Sequence, residues 1–468
     1  MLPKFTVSAL TLCILAGTYP LTVYSQEQKK TTQIKKNVIK KNIGKENKQT
    51  PAYVVDCNGQ TCTYFNPIYN PERVTIGSYI NQDSLYDGTD LIVNVPSVRE
   101  AARLLLRHLQ IEKESVKLGI PEPHFPRLTF SGFLEGQASY TKPYTGSAIN
   151  SINFTGAELD SYVEASDWAS GYMALDYDSS ELANGSRVFL NRAFITIGNL
   201  NKAPAYGVIG QVYVPFGRYS TAFITTPITL AVGRTRARSL MLGFQQVEKN
   251  SGYGEIYSYQ GLTTPVNQAN TMNEWGADAG YNFQISDKIS GYIGSSYISN
   301  LADSQGAQGT IFVLSENLNH RVGAGDLYGS LAINPFVFIA EYIVALQSFN
   351  INDVPYVNHG AKPKAYRAEV DYTFHTFGKP SSFGVEYGGS QQALAFGVPE
   401  QRYGAVYNIN LLRDTNLAIE YRHDVNYPAS AATVSGPNTF TPRPTPPNIA
   451  ADLGRSDNVI TAQFDLYF

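Results

Sequence analysis

NVITAQFDLYF, running from Asn458 to Phe468, puts Ile460, Ala462, Phe464, Leu466 and Phe468 on one side of an extended chain and Thr461, Gln463, Asp465 and Tyr467 on the other. Successive side chains of a strand point to opposite faces, so this period of two predicts a β-strand with one apolar and one polar face. The same division holds at Tyr366, Ala368, Val370, Tyr372 and Phe374 against Arg367, Glu369, Asp371, Thr373 and His375. It holds again at Trp275, Ala277, Ala279, Tyr281 and Phe283 against Glu274, Asp278 and Asn282.

Working back from the C-terminus, sixteen such strands are predicted, beginning near Arg127, Ile152, Trp168, Ser186, Ala205, Arg238, Gly252, Met272, Lys288, Arg321, Phe336, Pro363, Ser381, Gln401, Thr415 and Asp457. Connections after even-numbered strands are tight, as at Ser286 and Asp287, Asn334 and Pro335, or Gly378 to Pro380. Those after odd-numbered strands are mostly long, notably Pro215–Ala237, Leu301–His320, Phe349–Lys362 and Pro428–Ser456. A soluble sandwich also alternates, but its connections follow no such parity. An even number of strands with short turns at one end and long loops at the other is the pattern of an outer-membrane barrel. The predicted fold is therefore all-β: a sixteen-stranded antiparallel transmembrane β-barrel over residues 127–468, preceded by a small periplasmic extension containing one helix.

Composition agrees. Only 16% of the 468 residues are charged, against roughly 25% in soluble domains, and the 32 tyrosines, 23 phenylalanines and 39 glycines favour strands and turns. Beyond the leader no apolar run is long enough for a membrane-spanning helix. Residues 1–25 read as a secretory signal: Lys4, an apolar stretch from Phe5 to Gly17, then Val23 and Ser25 before a cut at Gln26. Cys13 falls inside this leader. Residues 26–50 carry eight lysines against Glu27 and Glu46 and read as a solvated, disordered spacer, with no nucleic-acid partner expected of an exported chain. Cys57 and Cys62 are expected to form a local disulfide in an oxidising compartment. In the extension, residues 51–126, Ser97 and Glu100 form a capping-box pattern, and Ala101, Leu105, Leu109 and Val116 recur at helical spacing. A helix over 98–118 is predicted, able to dock on the barrel, plug it or pair with a copy of itself; a periplasmic structural element is the favoured reading.

Three stretches resemble the LbtU-type siderophore porin family: Leu91–Pro96, FPRLTFSGFLEGQ at Phe125–Gln137, and VPFG…TTPITLAVG within Val214–Gly233. The resemblance implies a sixteen-stranded outer-membrane barrel with a periplasmic extension and a role in taking up iron or a ferric siderophore. The lysine-rich segment and the Cys57/Cys62 pair depart from that pattern.

Sixteen strands leave an aqueous lumen, which makes transport the expected function. Strand parity turns Glu135, Glu158, Asp160, Glu164, Asp176, Glu274, Asp278, Glu341, Glu369, Asp371, Glu386, Glu420 and Asp465 inward, with Arg192, Arg367 and Arg422. That acidic list favours cations, or merely keeps the wall wet and pairs with the arginines. The long third loop, the expected constriction, holds Thr225, Thr226, Arg234, Arg236 and Arg238, with Arg218 near its start. Guanidinium groups grip carboxylates in bidentate fashion, so a polycarboxylate ferric siderophore is a candidate guest. Acidic wall and basic loop pull in opposite directions, leaving ferric siderophore, ferrous iron and general diffusion of small polar solutes open. An adhesive barrel acting through the final loop is a further alternative. The C-terminal Phe468 is expected to engage the barrel assembly machinery. Too few residues precede the barrel for a TonB-dependent plug, and no HExxH or GxSxG motif suggests catalysis. Val370→Arg is expected to destabilise the barrel and Glu369→Arg to be tolerated.

Overall fold

In the computed structural model, residues 98–118, 125–178, 188–286, 288–312, 317–412, 414–431 and 452–468 are described, with three short strands before them, Val54–Cys57, Gln60–Thr63 and Val74–Ile76. The signal, the lysine-rich segment and most of the final long loop lie outside the described residues.

The sixteen barrel strands are β1 (Arg127–Lys142), β2 (Ile149–Glu164), β3 (Ala169–Asp178), β4 (Val188–Gly198), β5 (Ala205–Tyr213), β6 (Arg236–Gln245), β7 (Ser251–Gln260) and β8 (Glu274–Ser286), then β9 (Ile289–Ile298), β10 (Ala324–Ile333), β11 (Phe336–Ala345), β12 (Lys364–Thr376), β13 (Lys379–Gln391), β14 (Gln401–Ile409), β15 (Thr415–Val425) and β16 (Ser456–Tyr467). Each pairs antiparallel with its sequence neighbours, and β16 closes on β1 from Asn458 opposite Lys142 to Tyr467 opposite Phe133. Past the end of β16, Val74–Ile76 pairs in parallel with Leu128–Phe130 of β1. Every predicted strand is present, and the short turns after even strands and longer connections after odd ones gather at opposite ends.

The alternation decides which face meets which environment. Trp275, Ile256, Leu242, Ile293 and Phe464 are exposed on the outside, whereas Glu274, Asp278, Glu369 and Asp465 are buried inside. Two aromatic belts ring the exterior. Near the loop end Trp275 packs on Tyr297 (4.8 Å between centroids) and Tyr387 on Tyr366 and Tyr403 (6.2 and 5.1 Å). Near the turn end Phe336 packs on Tyr372 (5.1 Å), Tyr372 on Phe374 (5.6 Å) and Phe374 on Tyr407 (6.2 Å). From Tyr366 to Phe374 the chain rises roughly 27 Å along a tilted strand, the spacing of girdles flanking an apolar band of ~25 Å.

The interior departs from the expected open lumen. Helix α1 (Glu100–Leu118) lies inside the barrel, with Val98, Ala101, Ala102, Leu104, Leu105 and Leu109 buried in one cluster with the inward-facing Tyr162, Tyr172, Phe194, Val208 and Val212. Its buried part starts beside Val98, bridged to Tyr213 at the loop end of β5, and reaches the turn end at His108 and Leu109, where Glu164 closes β2; Lys113 and Val116 beyond are exposed. It is a lumen element of the barrel rather than a separate structure outside it. The helix also starts later than the capping box suggests. Val98 makes the bridge, Arg99 takes a left-handed conformation (φ 59), and the Glu100 carboxylate reaches Arg192. The apolar stripe stops short of Val116, which is exposed.

The first compact unit, Met1–Phe65, contains the hairpin Val54–Cys57/Gln60–Thr63. Its register sets Cys57 opposite Gln60 and Cys62 opposite Val55; the side chains of both cysteines lie outside the described residues.

Candidate functional site

The connection between β5 and β6, residues 214–235, folds into the barrel and carries the short helix α2 (Ile228–Gly233). Left-handed backbone at Gly217 (φ 78) and Tyr219 (φ 57) turns it inward. Three wall carboxylates then hold it. Glu341 accepts the backbone N–H groups of Arg218 (2.6 Å) and Tyr219 (3.0 Å) and the Thr229 hydroxyl (2.5 Å). Glu369 accepts the Ala222 N–H (2.7 Å) and the Thr221 hydroxyl (2.8 Å). Glu420 accepts the Thr225 N–H (2.9 Å) and hydroxyl (2.5 Å). Arg402, itself bidentate to Asp424 (2.7 and 2.9 Å), donates to the Thr226 carbonyl (2.9 Å). Phe223 reaches the far wall beside Val406 and Ala418. Gly404 makes that possible: a Cβ there would sit 2.6 Å from the Phe223 ring.

The opposite wall holds α1 in the same manner. Arg99 donates to Glu255 (2.8 Å) and Gln245 (3.0 Å), approaches Asp278 (3.6 Å), and lies 3.8 Å above the Tyr253 ring. Arg192 bridges Glu100 (2.8 Å) and Glu158, and the hydroxyl of Tyr172 donates to Asp160 (2.6 Å). Toward the turn end His108 sits between Glu164 (2.5 Å) and Glu112 (3.0 Å), and Arg127 also donates to Glu164 (2.8 Å). Burial opposes a charge on His108, but the two carboxylates prevail and raise its pKa to about 9.

The carboxylates expected to form a cation-favouring wall are thus largely engaged within the protein, some by the loop and the helix and others by neighbouring wall residues. Glu274 is held by Arg321 (2.7 Å) and Asn300 (2.9 Å), Arg367 lies against Glu369 (2.6 Å), Glu341 (3.7 Å) and Glu386 (3.8 Å), and Arg422 lies beside Asp424 (3.3 Å) and Asp457 (3.6 Å). Asp371, beside Glu369 on the inner face of β12, is buried. Glu135 takes hydrogen bonds from Thr155 and Gln137, Asp176 from Asn191 (2.5 Å), and Asp465 from Gln463 (2.9 Å). Glu369→Arg, expected from parity alone to be tolerated, would place a cation where two loop groups need an acceptor.

The four loop arginines do not act together. Arg218 points into the lumen, its guanidinium 5.0 Å from the Tyr292 ring, 5.6 Å from Tyr253 and 5.9 Å from Tyr328. Because Arg99 stacks on the same Tyr253, this cluster is where the helix and the inward loop meet. Tyr253 and Tyr328 share a hydrogen bond between their hydroxyls (3.1 Å), and Tyr328 donates to Asp278 (2.5 Å). Arg236 and Arg238, by contrast, continue the exposed row Leu240, Leu242 and Phe244 on the outer face of β6. Strand β6 begins at Arg236, so the period of two carries both arginines outward. Arg234, at the end of α2, hydrogen-bonds Gln305 (2.9 Å) and lies over the Tyr213 ring (4.5 Å).

Arg99, Glu255 and Arg402 carry no mark in the sequence pattern that assigns them to this site. Glu255 lies between Tyr253 and Tyr257 on the inner face while Ile256 faces out, so apolar character on both faces hides the alternation. The lumen role of Arg99 had no signal beyond its position before a helix.

No family model matches the chain. It is 52% identical to a UPF0422 protein of Coxiella burnetii (strain RSA 493 / Nine Mile phase I) over the full length of both. It is 34% identical to UPF0422 protein lpl2888 of Legionella pneumophila (strain Lens), covering 84% of this chain and 76% of that one. Among solved structures, an anion-selective porin from Comamonas acidovorans superposes with a TM-score of 0.49 at 10% identity, covering 73% of this chain and all of that one. Salmonella typhi OmpF in complex with daunomycin superposes at 0.47 with 14% identity, covering 73% and 98%. The barrel assignment rests on the strand pairing itself. On the sequence relationships, the chain belongs to the UPF0422 protein family.

Proposed function

We propose that this protein is an outer-membrane channel that admits a small anionic solute, a ferric siderophore being the candidate that the family resemblance and the site chemistry both favour. Its short-turn end would face the periplasm and its long loops the exterior, and Phe468, whose backbone exchanges hydrogen bonds with Gly132 (2.9 and 3.0 Å), would be the terminal residue offered to the assembly machinery. The apolar exterior between two aromatic belts supports the membrane placement. The observation that carries the solute reading is the basic and aromatic cluster where the inward loop meets the helix: Arg218 lies against the rings of Tyr253, Tyr292 and Tyr328, and Arg99 stacks on the same Tyr253. A guanidinium backed by aromatic faces suits an anionic, partly apolar guest better than a bare divalent cation.

Labelled iron presented as ferrous salt and as a ferric polycarboxylate siderophore to cells with and without the protein tests this. The expected result is loss of ferric-complex uptake on deletion, a several-fold reduction with Arg218→Ala, and unchanged ferrous uptake. Ferrous uptake that depends on the protein, or unselective conductance with both iron forms unaffected, would overturn it.

A further inference from the structure

Arg236 and Arg238 on the outer face of β6, with Arg234 just before it at the end of α2, have no role in a lumen reading, and their surroundings differ from those of four arginines inside. Arg99, Arg192, Arg367 and Arg402 each meet a carboxylate. Arg236 donates to the Asn191 side chain (2.9 Å) and Arg234 to Gln305, while Arg238 is exposed; among the described residues no carboxylate pairs with any of the three. Their strand neighbours on the same face are also neutral: Tyr213 is opposite Arg236, and Gln211 and Gln260 flank Arg238.

Height on the barrel identifies what lies beside them. One step below Arg238 on the outer face is Leu240, level with Ile209 on one side and Ser258 on the other, and Ser258 is opposite Trp275 of the loop-end aromatic belt. Arg238 therefore lies roughly 7 Å along the strand beyond the register position that leads to Trp275, toward the loop end, and Arg236 a further step out. Aromatic girdles mark the headgroup level, so these guanidinium groups stand among lipid headgroups rather than acyl chains.

We infer that Arg234, Arg236 and Arg238 form a binding site for the phosphorylated sugar headgroup of a lipid A-type glycolipid in the leaflet at the loop end. Guanidinium groups match phosphate oxygens in bidentate geometry, and three spaced along one edge suit a headgroup carrying two phosphates. This commits to the glycolipid over an anionic phospholipid, whose single phosphate engages fewer of the three. It rests on the membrane placement proposed above but not on the solute.

The test is native mass spectrometry of the full chain purified in detergent and incubated with bisphosphorylated lipid A or with phosphatidylglycerol. Each arginine near an anionic lipid surface contributes roughly five-fold in affinity, so the variant Arg234→Ala/Arg236→Ala/Arg238→Ala should lose lipid A binding by up to about 100-fold. If that variant does not fold, Arg238→Gln, a change at an exposed side chain, should weaken binding by roughly five-fold. Undiminished lipid A binding by whichever variant folds, or phosphatidylglycerol binding as tight as lipid A, would overturn the inference. Bilayer conductance of the same preparation reports on the channel separately: a conducting protein without lipid A binding fails only this inference, and a lipid A-binding protein without conductance fails only the channel.

Discussion

At the scale of single residues, the interior carboxylates are anchors. Glu369, 1% exposed, accepts two bonds from the inward loop and one from Arg367. Removing an acceptor leaves buried donors unsatisfied, at about 1–3 kcal/mol. Glu369→Gln is expected to loosen the loop and raise single-channel conductance with little change in barrel melting. Val370, one residue on and facing out between the two belts, tests the opposite face: Val370→Arg should destabilise the barrel by ~2–4 kcal/mol in a lipid-refolding titration. Parity made both orientations legible in sequence. It did not reveal Glu369 as an anchor, because its partners come from a loop 147 residues earlier. The outward placement of Arg236 and Arg238 is, in contrast, readable in the row they share with Leu240, Leu242 and Phe244, because the strand begins at Arg236 where the long connection ends.

At the scale of elements, the buried half of α1 is held by charge at its start and again at His108. Arg99→Ala would leave Glu255 and Asp278 buried without their cation, a change of about 3–5 kcal/mol borne by helix seating; faster amide exchange in α1 with the strands unaffected is the expected readout. The turn-end anchor depends on pH. With a pKa raised from the usual 6.5 to about 9 by Glu112 and Glu164, protonated His108 contributes fully below pH 6.5, and the contribution fades as pH climbs through about 9. Exchange of α1 amides, corrected for intrinsic rates, should therefore accelerate between pH 6.5 and 10, and His108→Gln should remove that dependence. The existence of the helix was legible from Ala101, Leu105 and Leu109. Its location was not, since an apolar stripe fits any apolar groove and the inner wall's Tyr162, Tyr172 and Phe194 belong to strands whose inner face otherwise reads polar.

At the scale of the whole molecule, a sixteen-stranded barrel wide enough for water is narrowed from two sides, by a helix lying along β2–β8 and a loop pinned to β9–β15, which meet at Arg99, Tyr253 and Arg218. The charge conflict apparent in the sequence is eased by this arrangement: the acidic wall is engaged by the inward loop, the helix and its own neighbours, and Arg218 lies among tyrosine rings where loop and helix meet. Single-channel recording in planar bilayers tests this most directly. The unmodified protein should show a conductance well below that of an unobstructed sixteen-stranded pore, rising several-fold in Arg99→Ala/Arg192→Ala. An unmodified protein that already conducts as an open pore, with the double variant indistinguishable from it, would contradict a lumen occupied by α1.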